Sequence, residues 1–69
     1  METLAIRSSM LASASYDADA RELRVTFKNG STYLYSDVPQ EAVDDLSGAE
    51  SQGGHFIQNI RDAYQARRV

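Results

Sequence analysis

The sequence contains no cysteine, no tryptophan, one proline and one histidine in 69 residues. Without cysteine there is no disulfide framework. A lone histidine, His55, with scattered carboxylates falls short of the ligand set of a structural zinc site. A chain this short buries only about 60% of the surface that its unfolded form exposes, and it has no covalent or metal staple to compensate. Packing or self-association must therefore hold it, and a reducing cytoplasm suits it. Long apolar runs are also missing. Nothing approaches the roughly 18 apolar residues of a membrane span. The stretch behind Arg7, which ends in the look-alike cleavage motif Ala12-Ser13-Ala14, is broken by serines and too short for a secretory signal. No metal, cofactor or membrane is expected.

Positive charge is scarce as well. Seven basic residues face ten acidic ones, for a net charge of −3, which excludes a surface that attracts phosphate backbones everywhere. The distribution is uneven. Residues 31 to 54 carry only acids (Asp37, Glu41, Asp44, Asp45 and Glu50), whereas residues 55 to 69 carry Arg61, Arg67 and Arg68 against Asp62. A local basic surface at the C-terminal end is one reading. The other is a final helical stretch whose arginines complement the helix dipole.

The rest of the chain has to pack around Arg21 to Pro39. Leu23, Val25 and Phe27 alternate with polar residues, Asn29-Gly30 breaks the pattern, and Tyr33-Leu34-Tyr35 resumes it, which predicts a hairpin. Two registers fit. A two-residue turn at Asn29-Gly30 sets Val25 opposite Leu34 and puts Tyr33 and Tyr35 on the face of Arg24, Thr26 and Lys28. A three-residue loop with Gly30 in a left-handed bulge sets Val25 opposite Tyr33 and Leu23 opposite Tyr35. Side-chain direction inverts between the two. The first supplies an inner face of Thr32, Leu34 and Ser36; the second buries two aromatic rings. A small domain without staples favours the second.

Before the hairpin, residues 1 to 8 read as an extended arm. Ser9 to Tyr16 reads as a strand with Met10, Ala12, Ala14 and Tyr16 on one side and Leu11, Ser13 and Ser15 on the other. Asp17 to Ala20 supplies a turn. After the hairpin, Val38-Pro39 opens a short helix with Ala42, Val43 and Leu46 on one stripe, and Gly48 closes it. Ser51 caps a second helix whose apolar face is Phe56, Ile57, Ile60, Ala63 and Tyr64. The expected fold is α+β, a three-stranded antiparallel meander followed by two helices packed on one face (β-β-β-α-α), forming a single domain over residues 1–69 with its core at about 9–64.

Candidate chemistry is thin. His55, Asn59 and Asp62 share a helix face, but neither a strained serine nor an oxyanion hole accompanies them, so catalysis is not expected. The run from Asp17 starts like a calcium loop, yet Glu22 stands where the turn glycine belongs and Lys28 where the bidentate glutamate belongs. Ser51, Gly53 and Gly54 at a helix start offer free N–H groups, with Arg61 further along, for an anion. Equally, Ser51 is a plain cap and the glycines allow close packing.

With these residues in view, the chain resembles the KTSC domain, a short bacterial module found alone and at the C-terminus of some lysyl-tRNA synthetases. The likeness runs from about Ser9 to Tyr64. It is carried by Tyr16-Asp17, Leu23-x-Val25-x-Phe27, Asn29-Gly30, Tyr33-x-Tyr35, Val38-Pro39, Ala49-x-Ser51-x-Gly53, and Phe56 followed by Ile60-Arg61 and Tyr64. Ile57 departs from the usual asparagine, and the N-terminal strand is poor in β-branched residues. The resemblance implies RNA binding through the synthetase context, and no catalytic residues. Two functions follow as expectations. In an RNA-binding module, Tyr33 and Tyr35 stack bases while Arg24, Lys28, Arg61, Arg67 and Arg68 neutralise phosphates, which requires the two-residue turn or else a separate site on the second helix. In a protein-interaction module, a protein partner or second copy docks on the sheet face away from the helices, with Leu11, Thr26, Thr32 and Leu34 exposed.

Overall fold

The computed structural model describes all 69 residues. In chain order the elements are β1 (Glu2–Thr3), β2 (Leu11–Asp17), β3 (Glu22–Phe27), β4 (Thr32–Tyr35), α1 (Gln40–Gly48), α2 (Gln52–Asn59) and β5 (Ala66–Arg68). The strands form one antiparallel sheet in the order β1-β2-β3-β4-β5. The expected meander of three strands is therefore its centre, and a short strand extends it at each edge. β1 and β5 are Glu-Thr and Ala-Arg-Arg, runs too short to show a strand by alternation. Pairing with β2 and β4 makes them strands, and backbone bonds such as Leu4 N–H to the Ala14 carbonyl at 3.0 Å and Val69 N–H to the Thr32 carbonyl at 3.0 Å continue those ladders.

The hairpin tip takes the odd-numbered form. Gly30 N–H donates to the Phe27 carbonyl at 3.0 Å, Phe27 N–H donates to the Ser31 carbonyl at 2.8 Å, and Gly30 holds φ at +94°. This is a type I turn closed by a left-handed glycine bulge. Val25 consequently pairs with Tyr33 and Leu23 with Tyr35, so both tyrosines share the face of Leu23 and Val25, beneath the helices. Tyr35 is 3% exposed, and Tyr33 is half-buried against the core.

A second irregularity lies in β2. Leu11 pairs with Phe27 but Ser13 with Thr26, so Ala12 is the extra residue. That bulge inverts the parity expected for Leu11, which is 1% exposed in the core beside Ala14 and Tyr16 rather than on the outer face. Leu34, also expected to be exposed, is 8% exposed.

The core joins Leu11, Ala14, Tyr16, Leu23, Val25 and Tyr35 of the sheet to Val43 and Leu46 of α1 and to Phe56 and Ile60 around α2. The helices occupy one face. Pro39 stands just ahead of α1, its carbonyl accepting from Ala42 N–H at 3.0 Å. α2 begins as expected, with Ser51 Oγ accepting from Gly54 N–H at 3.3 Å. It ends earlier than the apolar pattern predicts. Ile60 leaves helical geometry (φ −120°), and both Ile60 N–H and Arg61 N–H donate to the Phe56 carbonyl at 2.9 Å. Ile60 still fills the core, but Ile57 and Ala63 face solvent. The chain then turns back to lay β5 beside β4, which places Arg67 and Arg68 on an edge strand instead of in a helix.

One buried polar residue ties the N-terminal arm down. Gln52 is 1% exposed. Its Oε1 accepts from Arg7 N–H at 2.6 Å, and its Nε2 donates to the Ala5 carbonyl at 2.9 Å and the Ser47 carbonyl at 3.2 Å. Three main-chain groups, two in the irregular N-terminal arm and one in the last turn of α1, are satisfied by this one amide.

Candidate nucleotide-binding cleft

β4 carries its two tyrosines to different fates. Tyr35 points toward the sheet centre, where its ring meets Phe56 edge-on at 5.4 Å; Phe56 in turn meets Phe27 at 5.4 Å, and Phe27 meets Tyr33 at 5.8 Å, all in edge-to-face arrangements. Such pairs hold rings in fixed relative orientation. The outer side of this chain of rings is open. Phe27, Tyr33, Tyr35 and Ala66 line a cleft of about 410 Å³, and Asn29, Ser31 and Arg61 complete its margin. That volume lies within the ordinary range for small-ligand sites, roughly 300–1,000 Å³.

Three elements build the margin. The hairpin tip supplies Asn29 and Ser31, the turn after α2 supplies Arg61, and β5 contributes Ala66 opposite Tyr35 and Arg68 opposite Tyr33. Arg68 Nη2 reaches Ser31 Oγ at 3.3 Å, which holds its guanidinium at the rim. The Arg61 side chain is 54% exposed and pairs with Asp62 at 3.4 Å, a surface contact of little energetic weight that leaves the guanidinium available. Burial, foremost, pushes the Tyr35 hydroxyl pKa upward, and neighbouring Tyr33 and Asp62 push the same way while Arg61 opposes them. The phenol therefore stays protonated and neutral at neutral pH.

The structure thus gathers Tyr33, Tyr35, Arg61 and Arg68 around one cleft, but on the helical side of the sheet. Arg24 and Arg67 lie on the opposite face, each paired across the ladder with Leu34. Lys28 is exposed at the hairpin tip. The expected set of cations is therefore split, and the open-sheet stacking platform does not form. Phe27, Asn29 and Ser31 also line the cleft, whereas the sequence offers Phe27 and Asn29 only as hairpin residues; the alternation at Phe27 and the bulge at Gly30 carry the signal that places them.

The remaining candidates sit elsewhere. Ser51 caps α2, and Gly53 lies against the N-terminal segment, where a Cβ would come within 3.2 Å of Ser8 Oγ. Close approach of segment 8–10 thus accounts for Gly53. A hollow that includes Arg7, Ser8, Gly53 and Gly54 also contains Glu50, which disfavours an anion there. His55 lies in the α1–α2 groove near Glu41 and Asp45, its Nδ1 3.3 Å from Asn59 Nδ2, whereas Asp62 turns to Arg61. No helix is long and apolar enough to cross a membrane.

The KTSC domain family model matches residues 7–64. The chain belongs to the KTSC domain family. A crystal structure of a KTSC domain protein from Yersinia pestis superimposes with a TM-score of 0.89 at 32% identity, covering 99% of this chain and 96% of that one. An uncharacterised protein of Stutzerimonas stutzeri is 43% identical over 58 residues, 84% of this chain and 82% of its own length. A protein of Tsukamurella paurometabola is 44% identical over 55 residues, 80% of this chain and 81% of its own. The matched span of the KTSC domain contains most of the cleft, from Phe27 through Arg61, while Ala66 and Arg68 lie just beyond it.

Proposed function

We propose that this KTSC domain is a non-catalytic, cytoplasmic module that binds single-stranded RNA through the cleft, one nucleotide at a time. The observation that carries this reading is the union, in one open cleft, of the exposed side of Tyr33 and Phe27 with Arg61, while Arg68 stands beside it on Ser31. Aromatic surface receives a base of any identity, and arginine answers the adjoining phosphate. The acidic remainder of the molecule confines binding to that spot. Base stacking on an open sheet, the simpler form of the idea, gives way to insertion of one base beside β4.

The test is a titration of a mixed-sequence RNA octamer at low salt, read by fluorescence anisotropy. Arg61→Ala and Tyr33→Ala weaken binding about tenfold or more, whereas Arg24→Ala on the far face leaves it unchanged. With two arginines engaged, the logarithmic salt slope is about −1.4. Absence of binding below millimolar RNA, or equal losses in Arg24→Ala and Arg61→Ala, refutes the proposal.

A protein partner has a different footing from the one expected. The outer sheet face offers Ser13, Ser15, Thr26 and Thr32 and little apolar surface. The edge of β5 leaves the N–H and C=O groups of Ala66 and Arg68 pointing away from β4, and a strand of a partner could add there.

A further inference from the structure

The two edges of the sheet are not alike. On β5, Gln65 and Val69 bond inward, the Gln65 carbonyl accepting from Ser36 N–H at 2.9 Å and Val69 N–H donating to the Thr32 carbonyl at 3.0 Å. Alternation along the strand turns the N–H and C=O groups of Ala66 and Arg68 outward, which gives another strand two consecutive points of attachment. On β1, Leu4 N–H bonds inward to the Ala14 carbonyl, so Thr3 is the outward residue, and beyond it the Ala5 carbonyl is taken by Gln52. β5 is therefore the open edge.

Charge decides what can use that edge. Arg67 stands on the outer face, in a row across the sheet that runs Thr3, Ser15, Arg24, Leu34, Arg67 and holds no carboxylate. Arg68 stands on the helical face, its Nη2 donating to Ser31 Oγ. Neither arginine forms an ion pair; the salt bridge of this chain is Arg61 with Asp62. Cationic side chains on an edge repel neutral-to-basic strands and guard against aggregation. A second copy is among those repelled, because pairing that used both outward residues of each β5 sets Arg67 against its own image. An acidic strand reverses the sign. We infer that β5 receives an acidic extended segment of another protein, running antiparallel, with one carboxylate opposite Arg68, the next opposite Arg67 and then an apolar residue opposite Ala66. That third residue comes down beside the small Ala66 at the mouth of the cleft. The inference holds whether or not RNA enters the cleft.

The experiment adds the capped peptide Thr-Thr-Glu-Glu-Val-Thr-Thr to the isotope-labelled full chain and follows backbone amides by nuclear magnetic resonance. Binding protects the Ala66 and Arg68 amides from hydrogen exchange and leaves β1 unchanged. Lysines in place of the two glutamates weaken binding about tenfold. Arg67 is exposed, outside both core and cleft, so Arg67→Glu stays folded; it weakens the glutamate peptide to a similar degree, and binding returns when the second glutamate of the peptide is lysine. N-methylation separates the main chain from the side chains. A methyl group on the valine nitrogen, which faces β5, abolishes binding, and one on the second glutamate nitrogen, which faces away, leaves it intact. Equal binding of the glutamate and lysine peptides, indifference to the valine methyl group, or no binding at millimolar peptide overturns the inference. Protection of Ala66 and Arg68 that rises with protein concentration before peptide is added also overturns it, because a second copy then occupies the edge.

Discussion

Tyr33 and Tyr35 stand two positions apart on one strand and face the same way, and the structure gives them unequal work. Replacing each by alanine separates the roles. Tyr35 is 3% exposed and packed on Phe56, so Tyr35→Ala removes a full aromatic side chain from the core, at about 3–5 kcal/mol. Tyr33 is half-buried, with Phe27 as its ring partner at 5.8 Å. The loss of one edge-to-face pair, about 0.5–1.5 kcal/mol, and of a partial apolar contact puts Tyr33→Ala at about 1–2.5 kcal/mol. A domain of 69 residues at about 0.05–0.15 kcal/mol per residue has only about 3–10 kcal/mol in total. Tyr35→Ala therefore leaves a largely unfolded chain or one near its limit, whereas Tyr33→Ala remains folded and loses RNA. Urea unfolding followed by circular dichroism, with octamer binding measured on the same samples, reads both. Equal destabilisation by the two substitutions, or a loss below about 1 kcal/mol in Tyr35→Ala, would falsify the division of labour.

Gly30 holds φ at +94° with open space where a Cβ would stand, so Gly30→Ala has a backbone cost only, about 1–2 kcal/mol, visible as a lower urea midpoint. Gln52→Ala strands Arg7 N–H and the carbonyls of Ala5 and Ser47; a loss of about 2–4 kcal/mol is expected, with faster amide hydrogen exchange concentrated in residues 2 to 7. The raised pKa of Tyr35 means that the folded protein keeps a proton which the unfolded chain releases above the ordinary value of 10.0. Its contribution is whole below about pH 10 and is lost as pH climbs through the folded value. Urea midpoints taken from about pH 8 to about pH 11 should fall more steeply for the native protein than for Tyr35→Phe, and parallel curves would refute this.

The parts of this fold that the sequence makes legible are those where local chemistry and core demand agree. Asn29-Gly30 marks the tip, the shortage of apolar residues in Thr32, Leu34 and Ser36 selects the register, and Pro39 and Ser51 mark the helix starts. What escapes is what neighbours impose. Glu2-Thr3 and Ala66-Arg67-Arg68 have no strand signal and become strands because β2 and β4 have free edges. Ala12 looks like any other alternating residue, yet as a bulge it turns Leu11 inward. Gln52, beside two glycines, carries no signal of burial and is buried because three main-chain groups converge on it. The cleft was half legible. The alternating pattern shows Tyr33 and Tyr35, but Arg68 joins them only through β5, and Asn29 and Ser31 reach the cleft through the tip geometry.

The odd residue count at the hairpin tip has a consequence for how such a chain can vary. Deleting or inserting one codon between Phe27 and Thr32 would rotate every later side chain of β4 by half a turn, exchanging Tyr33 and Tyr35 with Thr32 and Leu34 and emptying the interior in one step. The same change in the short link from Gly48 to Ser51 would strain the Gln52–Ser47 bond that spans it but would invert no strand. The tip therefore accepts an exchange of residues more readily than a change in their number.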